Sequence, residues 1–532
     1  MTRRLPLVVC FVWAFAALGL VIGAWSLTTP LGGAPDEPQH IINAAAVVRG
    51  QLDEPLHKGP VGGTSIVTVP VYIAGIGELP ACYYKKPNVS AACSPPLSRS
   101  SKPALAATQF SNYPPLYYLA VGIPTLTTSG KLAVYEMRLA GVLLSSALLA
   151  LGLFLLARYG SSGVVFAGAI LALSPMVFFV NGVINSSAME ISAGFASWCA
   201  ALCLAGRRRI SSGLAAGAAL SFVLLAWSRP ISPLYLGLIL ATAAVFAGWR
   251  QIVSLAAQPV VRIVGVVVVA AAVVAGIWLL VGGTPSLLGG RFVPPLSLGG
   301  EMRKTMALTW YRLDQSIGIF GWLDTPSPVG TIVIWSVGVC SLAGIALALS
   351  ARARRSTPLL VAFSLAVPLA FESRKIDAIG PYWQGRYWLP ILAGIPLLAA
   401  FSWPLRRRAR HHSLRRSPAG RRAWWVLLLL PGAALLFVAQ LAAFLTALHR
   451  YEVGLGKPPG SPVRWRPPGG AVLDTAIFVT GYVLLLSFCF VYGRWLRWGG
   501  ESVPAGTAGV GVVDVPSQET AVSESTSVVG AG

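Results

Sequence analysis

The sequence predicts an all-α, polytopic integral membrane protein with about twelve transmembrane helices. Three observations carry that prediction. Of 532 residues, 55% are hydrophobic and 11% charged, with a mean hydropathy of +0.69, more apolar surface than soluble cores of this size can bury. The apolar residues gather into runs of roughly 17–25, the length that crosses about 30 Å of hydrocarbon at a helical rise of ~1.5 Å per residue. Arginines recur in alternate connections between these runs, as the positive-inside rule requires.

Taken in order, the runs lie near 6–27, 138–157, 162–180, 188–205, 212–228, 232–248, 261–281, 329–350, 357–371, 387–404, 424–447 and 472–492. The first follows Thr2-Arg3-Arg4 and continues through Trp25 without a small-residue cleavage site, so it reads as a retained signal anchor with a cytoplasmic N-terminus. From that start, the cytoplasmic connections hold Arg158, Arg207-Arg208-Arg209, Arg250 with Arg262, Arg352 with Arg354-Arg355, the stretch from Arg406 to Arg422, and Arg494 with Arg497. An even number of spans returns the C-terminus to the cytoplasm. The transmembrane unit is 1–498; residues 499–532, rich in Gly, Ser, Val and Thr and free of aromatics, are expected to be a disordered cytoplasmic tail.

The formal charge of +23 resides largely in the cytoplasmic loops. Arginine between membrane spans sets orientation and meets anionic lipid headgroups, so membrane lipids are the expected partners and nucleic acid is not.

Extracytoplasmic chemistry has three longer loops to work with, 28–137, 282–328 and 372–386, and a Pro/Gly-rich connection at 448–471. Cys82 and Cys93 share the first loop, in a compartment that permits oxidation, and are expected to pair as a disulfide. Cys10, Cys199, Cys203, Cys340 and Cys489 fall within spans as packing residues. The first loop opens with Ala34-Pro35-Asp36-Glu37-Pro38-Gln39-His40. An acid pair this close to a membrane is costly and raises a functional hypothesis, whereas the plainer reading has Asp36 capping a helix that runs from Pro38 through Val48. That helix is expected to be amphipathic and to lie along the interface.

Three further blocks lie on the same side: Asn112-Tyr113-Pro114-Pro115-Leu116-Tyr117-Tyr118, Phe320-Gly321-Trp322-Leu323-Asp324-Thr325-Pro326, and Tyr382-Trp383-Gln384-Gly385-Arg386-Tyr387-Trp388-Leu389-Pro390. Aromatics with a few polar groups suit a sugar face, and an interfacial aromatic belt places the same residues there.

The Pro-Asp-Glu-Pro start, the Tyr-Pro-Pro-Leu-Tyr-Tyr block, Gly321-Trp322-Leu323-Asp324-Thr325 and Gln384-Gly385-Arg386-Tyr387 come in order over roughly 6–405. Together they resemble the bacterial membrane-protein family of unknown function numbered 2142, which is similar in layout to the GT-C glycosyltransferases. The resemblance implies a GT-C-like core in a bacterial plasma membrane. It also implies transfer of a sugar from a polyprenyl-phosphate donor to a cell-envelope glycan or lipid acceptor on the outer face, with a catalytic carboxylate soon after span one. By position Asp36 matches that carboxylate.

Such a transfer needs a general base for the acceptor hydroxyl, and Asp36 is the candidate. Glu37 would orient the acceptor, perturb Asp36 by like-charge repulsion, or share a divalent cation with it, the one cofactor the sequence suggests. A leaving lipid phosphate needs a cation: Arg386, at headgroup depth, is favoured over Arg374, Lys375 and Arg229, with lipid anchoring as the alternative for each. Gln384, Tyr387, Tyr113 and Trp322 join as candidate substrate contacts. Asp324 either assists binding or caps a turn before Pro326. His40, four residues after Asp36, either orients it or is structural. Glu190, with Asn181 and Asn185 near the outer end of the bundle, calls for a partner facing the interior. The rival reading is a transporter or flippase, since twelve spans with both ends inside is also a transporter layout; a two-half repeat is not evident in the sequence, and charges within spans are few.

Overall fold

The computed structural model describes residues 7–52, 57–59, 62–281, 297–373, 376, 380–403, 418–458 and 460–498. Arg374, Lys375 and the tail at 499–532 lie outside the described residues, as do 282–296 of the second long loop. The helices that follow the apolar runs are α1 (Leu7–Thr28), then, after the first loop with α2 (Glu37–Val47) and α3 (Leu116–Gly122), α4 (Gly130–Tyr159), α5 (Val165–Ala172), α6 (Pro175–Asn181), α7 (Ser186–Ala205), α8 (Ser212–Ala226), α9 (Ser232–Ala247), α10 (Trp249–Ala256) and α11 (Pro259–Val281). Helices α12 (Leu298–Ala307) and α13 (Thr309–Gly318) come next, followed by α14 (Val329–Leu349), α15 (Ala351–Glu372), α16 (Gly394–Phe401), α17 (Pro418–Glu452) and α18 (Ala471–Trp498).

Each of the twelve expected runs thus lies on a helix or on an interrupted one. Among the described residues, seven helices are long and apolar enough to cross a membrane, or eight if α9 and α10, which meet at 112°, form one bent span. The others are shorter or broken: α8 has 15 residues, α15 contains Pro358 and Pro368, and the 387–404 run starts as the 3-10 turn Gly385–Trp388 before α16.

The 162–180 run breaks at Ser174-Pro175 because proline clashes with the preceding turn and lacks an N–H. Backbone carbonyls freed inside a membrane protein must find donors. Trp335 Nε1 donates to Leu171 O at 2.9 Å, Gln440 Nε2 to Leu173 O at 3.0 Å, and Ser174 Oγ to Ser316 O at 2.8 Å. The break is therefore locked by α14, α17 and α13.

The first loop folds as a small cap. Strands β1 (His57–Gly59), β2 (Gly62–Pro70) and β3 (Pro103–Thr108) form an antiparallel sheet with Ser65 opposite Thr108 and Val67 opposite Ala106. Val67 and Val69 face inward and Ile66 outward, the period-2 pattern of a half-buried strand. Under this sheet lies α2, buried along both faces, which corrects the expectation of an amphipathic helix lying open on the interface. Its polar residues bond internally: Asn43 Nδ2 donates to Phe110 O at 3.0 Å, and His40 Nδ1 meets Tyr118 Oη at 2.8 Å. The Ala44-Ala45-Ala46 stretch lets α3 approach so closely that a Cβ on Gly122 would lie 2.3 Å from Ala44 O. Cys82 and Cys93 form the expected disulfide.

Candidate functional site

Asp36 sits at the junction of the Pro35 turn and α2. Its φ of 64° and ψ of −1° place it in the left-handed region, and its side chain makes no capping bond to α2. The plain capping reading therefore fails: the carboxylate turns instead to Nη2 of Arg386, 350 residues away. Arg386 also donates to Pro35 O at 3.0 Å and to Tyr387 Oη at 3.2 Å. The Pro35 carbonyl accepts a second bond, from Asn185 Nδ2 at 3.1 Å. Asn185 in turn caps α7 by accepting from Ser187 N at 2.9 Å. Asp36 is thus held by a turn that both α7 and the Arg386 segment fasten.

Arg386 is aimed by its neighbours. Gly385 donates to Gln315 Oε1 at 2.8 Å and lies so close to α13 that a Cβ there would meet Arg312 O at 2.3 Å. Tyr235 Oη fixes Tyr387 by donating to its carbonyl at 2.8 Å. The Tyr387 ring lies between two guanidiniums, Arg386 at 5.1 Å and Arg229 at 4.5 Å from its centroid, and Tyr113 lies 5.8 Å from Arg229 on another side. Arg229 pairs with Glu190 at 3.0 Å, and Ser232 Oγ donates to the same carboxylate at 2.6 Å, the interior partner that Glu190 required. Nε of Arg386, Nε of Arg229 and Oε1 of Gln384 are buried and without a hydrogen-bond partner among the described residues. Of these residues, Arg386 also lines a narrow crevice of about 10 Å³ with Ala34, Pro35, Val183, Asn185 and Leu323.

Exposure separates Asp36 from the other carboxylates that pair with arginine among the described residues. The Asp36 side chain is 33% exposed, against 0% for Glu37, Glu190 and Glu372 and 7% for Asp324. Glu37 points away from Asp36 into the bundle, where Arg138 grips both its oxygens at 2.8 Å and Ile184 N donates to it at 3.1 Å. Arg138 spends its remaining donors on the carbonyls of Ser26, Thr29 and Pro30. The expectation that Glu37 shares the catalytic work or a divalent cation with Asp36 is corrected: the adjacent side chains diverge to different arginines. Among the described residues no group of three His, Cys, Asp or Glu converges as a metal site.

His40 stacks on Phe110 at 3.8 Å and bonds Tyr118, not the Asp36 carboxylate. Burial, reinforced by Arg386 and Arg229, holds its imidazole well below the usual 6.5 and hence neutral. Asp324 lies in the tight hairpin between β4 (Ile319–Phe320) and β5 (Thr325–Pro326), and pairs with Arg450 at 2.9 Å. Arg450 also donates to the carbonyls of Val89, Tyr83 and Lys86, so this pair fastens the hairpin and α17 to the first loop. Trp322 donates to Gly32 O at 3.2 Å and packs edge-on to Tyr84, a contact that supports the Pro35 turn. Of the candidate cations, Arg386 and Arg229 meet at Tyr387, whereas Arg374 and Lys375 lie outside the described residues. The sequence reading missed Arg138 and Arg450, although each stands at the end of an apolar run, where a lone arginine needs a partner.

Comparison with known proteins gives four findings. The family described as "Predicted membrane protein (DUF2142)" matches residues 18–395. The chain is similar to the crystal structure of ArnT from Cupriavidus metallidurans bound to undecaprenyl phosphate, at 12% identity and a TM-score of 0.42, over 92% of this chain and 77% of that one. The apo structure of the same ArnT gives 12% identity and a TM-score of 0.36, over 86% and 76% of the two chains. Sequence comparison with curated proteins gives no match.

Proposed function

The chain belongs to the DUF2142 family of predicted membrane proteins, and from that premise we propose that it is a membrane glycosyltransferase of the bacterial envelope. In this reading it moves a sugar from a polyprenyl-phosphate donor to a glycan or lipid acceptor at the outer face of the plasma membrane, with both termini cytoplasmic. The observation that carries the reading is the half-open Asp36–Arg386 pair beside Arg229 and Tyr387. It is the exposed one among the described arginine–carboxylate pairs, and its two guanidiniums each keep a buried Nε donor for an anion.

The chemistry follows from those groups. A sugar phosphate that reaches Arg386 competes with Asp36 for it, and its oxygens suit the guanidinium fork. Displaced from Arg386, the Asp36 carboxylate is free to accept the proton of an acceptor hydroxyl. The hydroxyl oxygen bonds to the anomeric carbon as the carbon–phosphate-oxygen bond breaks. The lipid phosphate leaves with that electron pair, and Arg386 and Arg229 meet the charge that develops on it. Tyr387 and Tyr113 hold the two guanidiniums in place through their ring faces.

The transporter reading would draw on the broken helix at Ser174, since such breaks line substrate sites in transporters. Here the freed carbonyls of Leu171 and Leu173 are bonded to neighbouring helices, and the open charged groups gather at the outer end of the bundle.

The test is sugar transfer by the purified protein in nanodiscs, from a panel of polyprenyl-phosphate sugars to envelope glycolipid extract. Asp36→Asn should lower the rate by roughly 10²–10⁴-fold, the usual worth of a general base, with folding unchanged. Equal rates for wild type and variant would refute the role of Asp36. Donor crossing the bilayer without transfer would establish the transporter instead.

A further inference from the structure

We infer that the end of the bundle opposite Asp36 carries a binding site for anionic phospholipid headgroups, built from the turn at 206–211 and the helix α10. The two are fastened into one platform. At Gly248, φ 83°, the chain turns α10 by 112° away from α9, so that α10 runs across the bundle axis. Gln251 Nε2 then donates to Arg207 O at 2.7 Å, and Gln258 bonds both Ile210 N, at 3.0 Å, and Arg208 O, at 2.9 Å.

Among the described residues this platform is basic without compensation. Arg208, Arg209, Arg250 and Arg262 are exposed, and no acidic residue stands anywhere between Glu190 and Glu301 in the sequence. Arg207, by contrast, is engaged with Tyr159, donating to its carbonyl at 3.3 Å and lying 5.2 Å from its ring. Four guanidiniums unpaired among the described residues, on a rigid support, attract phosphate.

Apolar groups on the same platform decide what carries that phosphate. Trp249 is 76% exposed and Val253 50% exposed on α10, one edge of a helix whose Gln251 bonds the turn. Immediately after Arg262, α11 exposes Ile263 and Val266, within a helix long and apolar enough to cross a membrane. The arginines therefore stand at the level where the lipid-facing surface begins, and the partner that fits is an amphiphile with a phosphate head. In-plane helices with a basic and an apolar edge bind anionic bilayers in this way. The inference does not rest on the proposed transferase activity.

The experiment is release of the full-length chain from nanodiscs of mixed phosphatidylglycerol and phosphatidylcholine, with retained lipid weighed by native mass spectrometry. Wild type should retain phosphatidylglycerol in preference. The combined change Arg208→Gln, Arg209→Gln, Arg250→Gln and Arg262→Gln should cut that preference by about tenfold, while Arg494→Gln, outside the platform, should not. Val253→Glu, which keeps every arginine but sets a carboxylate among them, should weaken it as well and carries the test if the fourfold variant fails to fold. No preference in wild type, or an unchanged one in well-folded variants, would overturn the site. Displacement of the lipid by inorganic phosphate would overturn the lipid assignment in favour of a free-anion site.

Discussion

At the scale of single residues, the adjacent acids Asp36 and Glu37 divide into two kinds of ion pair, and their stabilities should differ accordingly. Removing one partner of a buried pair leaves an uncompensated charge, typically at a cost of about 3–5 kcal/mol. Glu37→Gln and Arg138→Met should each lower stability by about that amount in thermal unfolding, whereas Asp36→Asn, at a partly exposed pair, should change it by about 1 kcal/mol or less. Equal losses would contradict the division of roles. His40 makes a pH prediction whose sign is fixed by its depressed pKa. Because the folded protein resists protonating it, the unfolded chain binds the extra proton, and the stability His40 contributes is complete above about 6.5 and lost as pH falls below that value. Melting temperature should therefore drop between pH 7 and 5, and His40→Gln should flatten that slope. Asp36 was legible in the sequence as an acid between two prolines just after a span. Its left-handed backbone and its turn towards Arg386 were not, because both depend on groups that other helices bring to it.

At the scale of elements, the contact between the Gly385 turn and α13 sets the aim of Arg386. A methyl group at Gly385 would collide with the Arg312 carbonyl, which is backbone and cannot rotate aside. Gly385→Ala should cost about 1–3 kcal/mol and weaken donor binding together with transfer, as measured by unfolding and by titration with a polyprenyl phosphate. If stability falls while donor binding is untouched, the turn is structural only. The helices themselves were read well from apolar length, since the membrane imposes one periodicity on everything that crosses it. Interrupted and outer elements were read less well. The split at Ser174 depends on donors from Trp335 and Gln440, and the strands of the first loop are half-buried only because α2 lies beneath them.

For the whole molecule, Asp36, Tyr113, Asp324 and Arg386, which the alternation of arginine groups on one side, come to one end of the bundle although they are spread over 350 residues. Which arginine meets which acid was not legible, because Arg138 and Arg450 reach their partners across helices far apart in the chain. The disulfide makes a prediction at this scale. Cys93→Ser opens a loop of sequence separation 11, and chain entropy puts the loss at about 3 kcal/mol. Protease digestion should then cut first near Tyr83–Val89, the stretch that Arg450 also holds, and unchanged cleavage there would show that Arg450 suffices alone. That stretch has a further consequence for how the protein is made. Its clasp is supplied by Arg450 and by the Leu455 amide, which bonds Pro87 O. The first loop must therefore wait, incompletely fastened, until a partner 361 residues further along the chain has been synthesised.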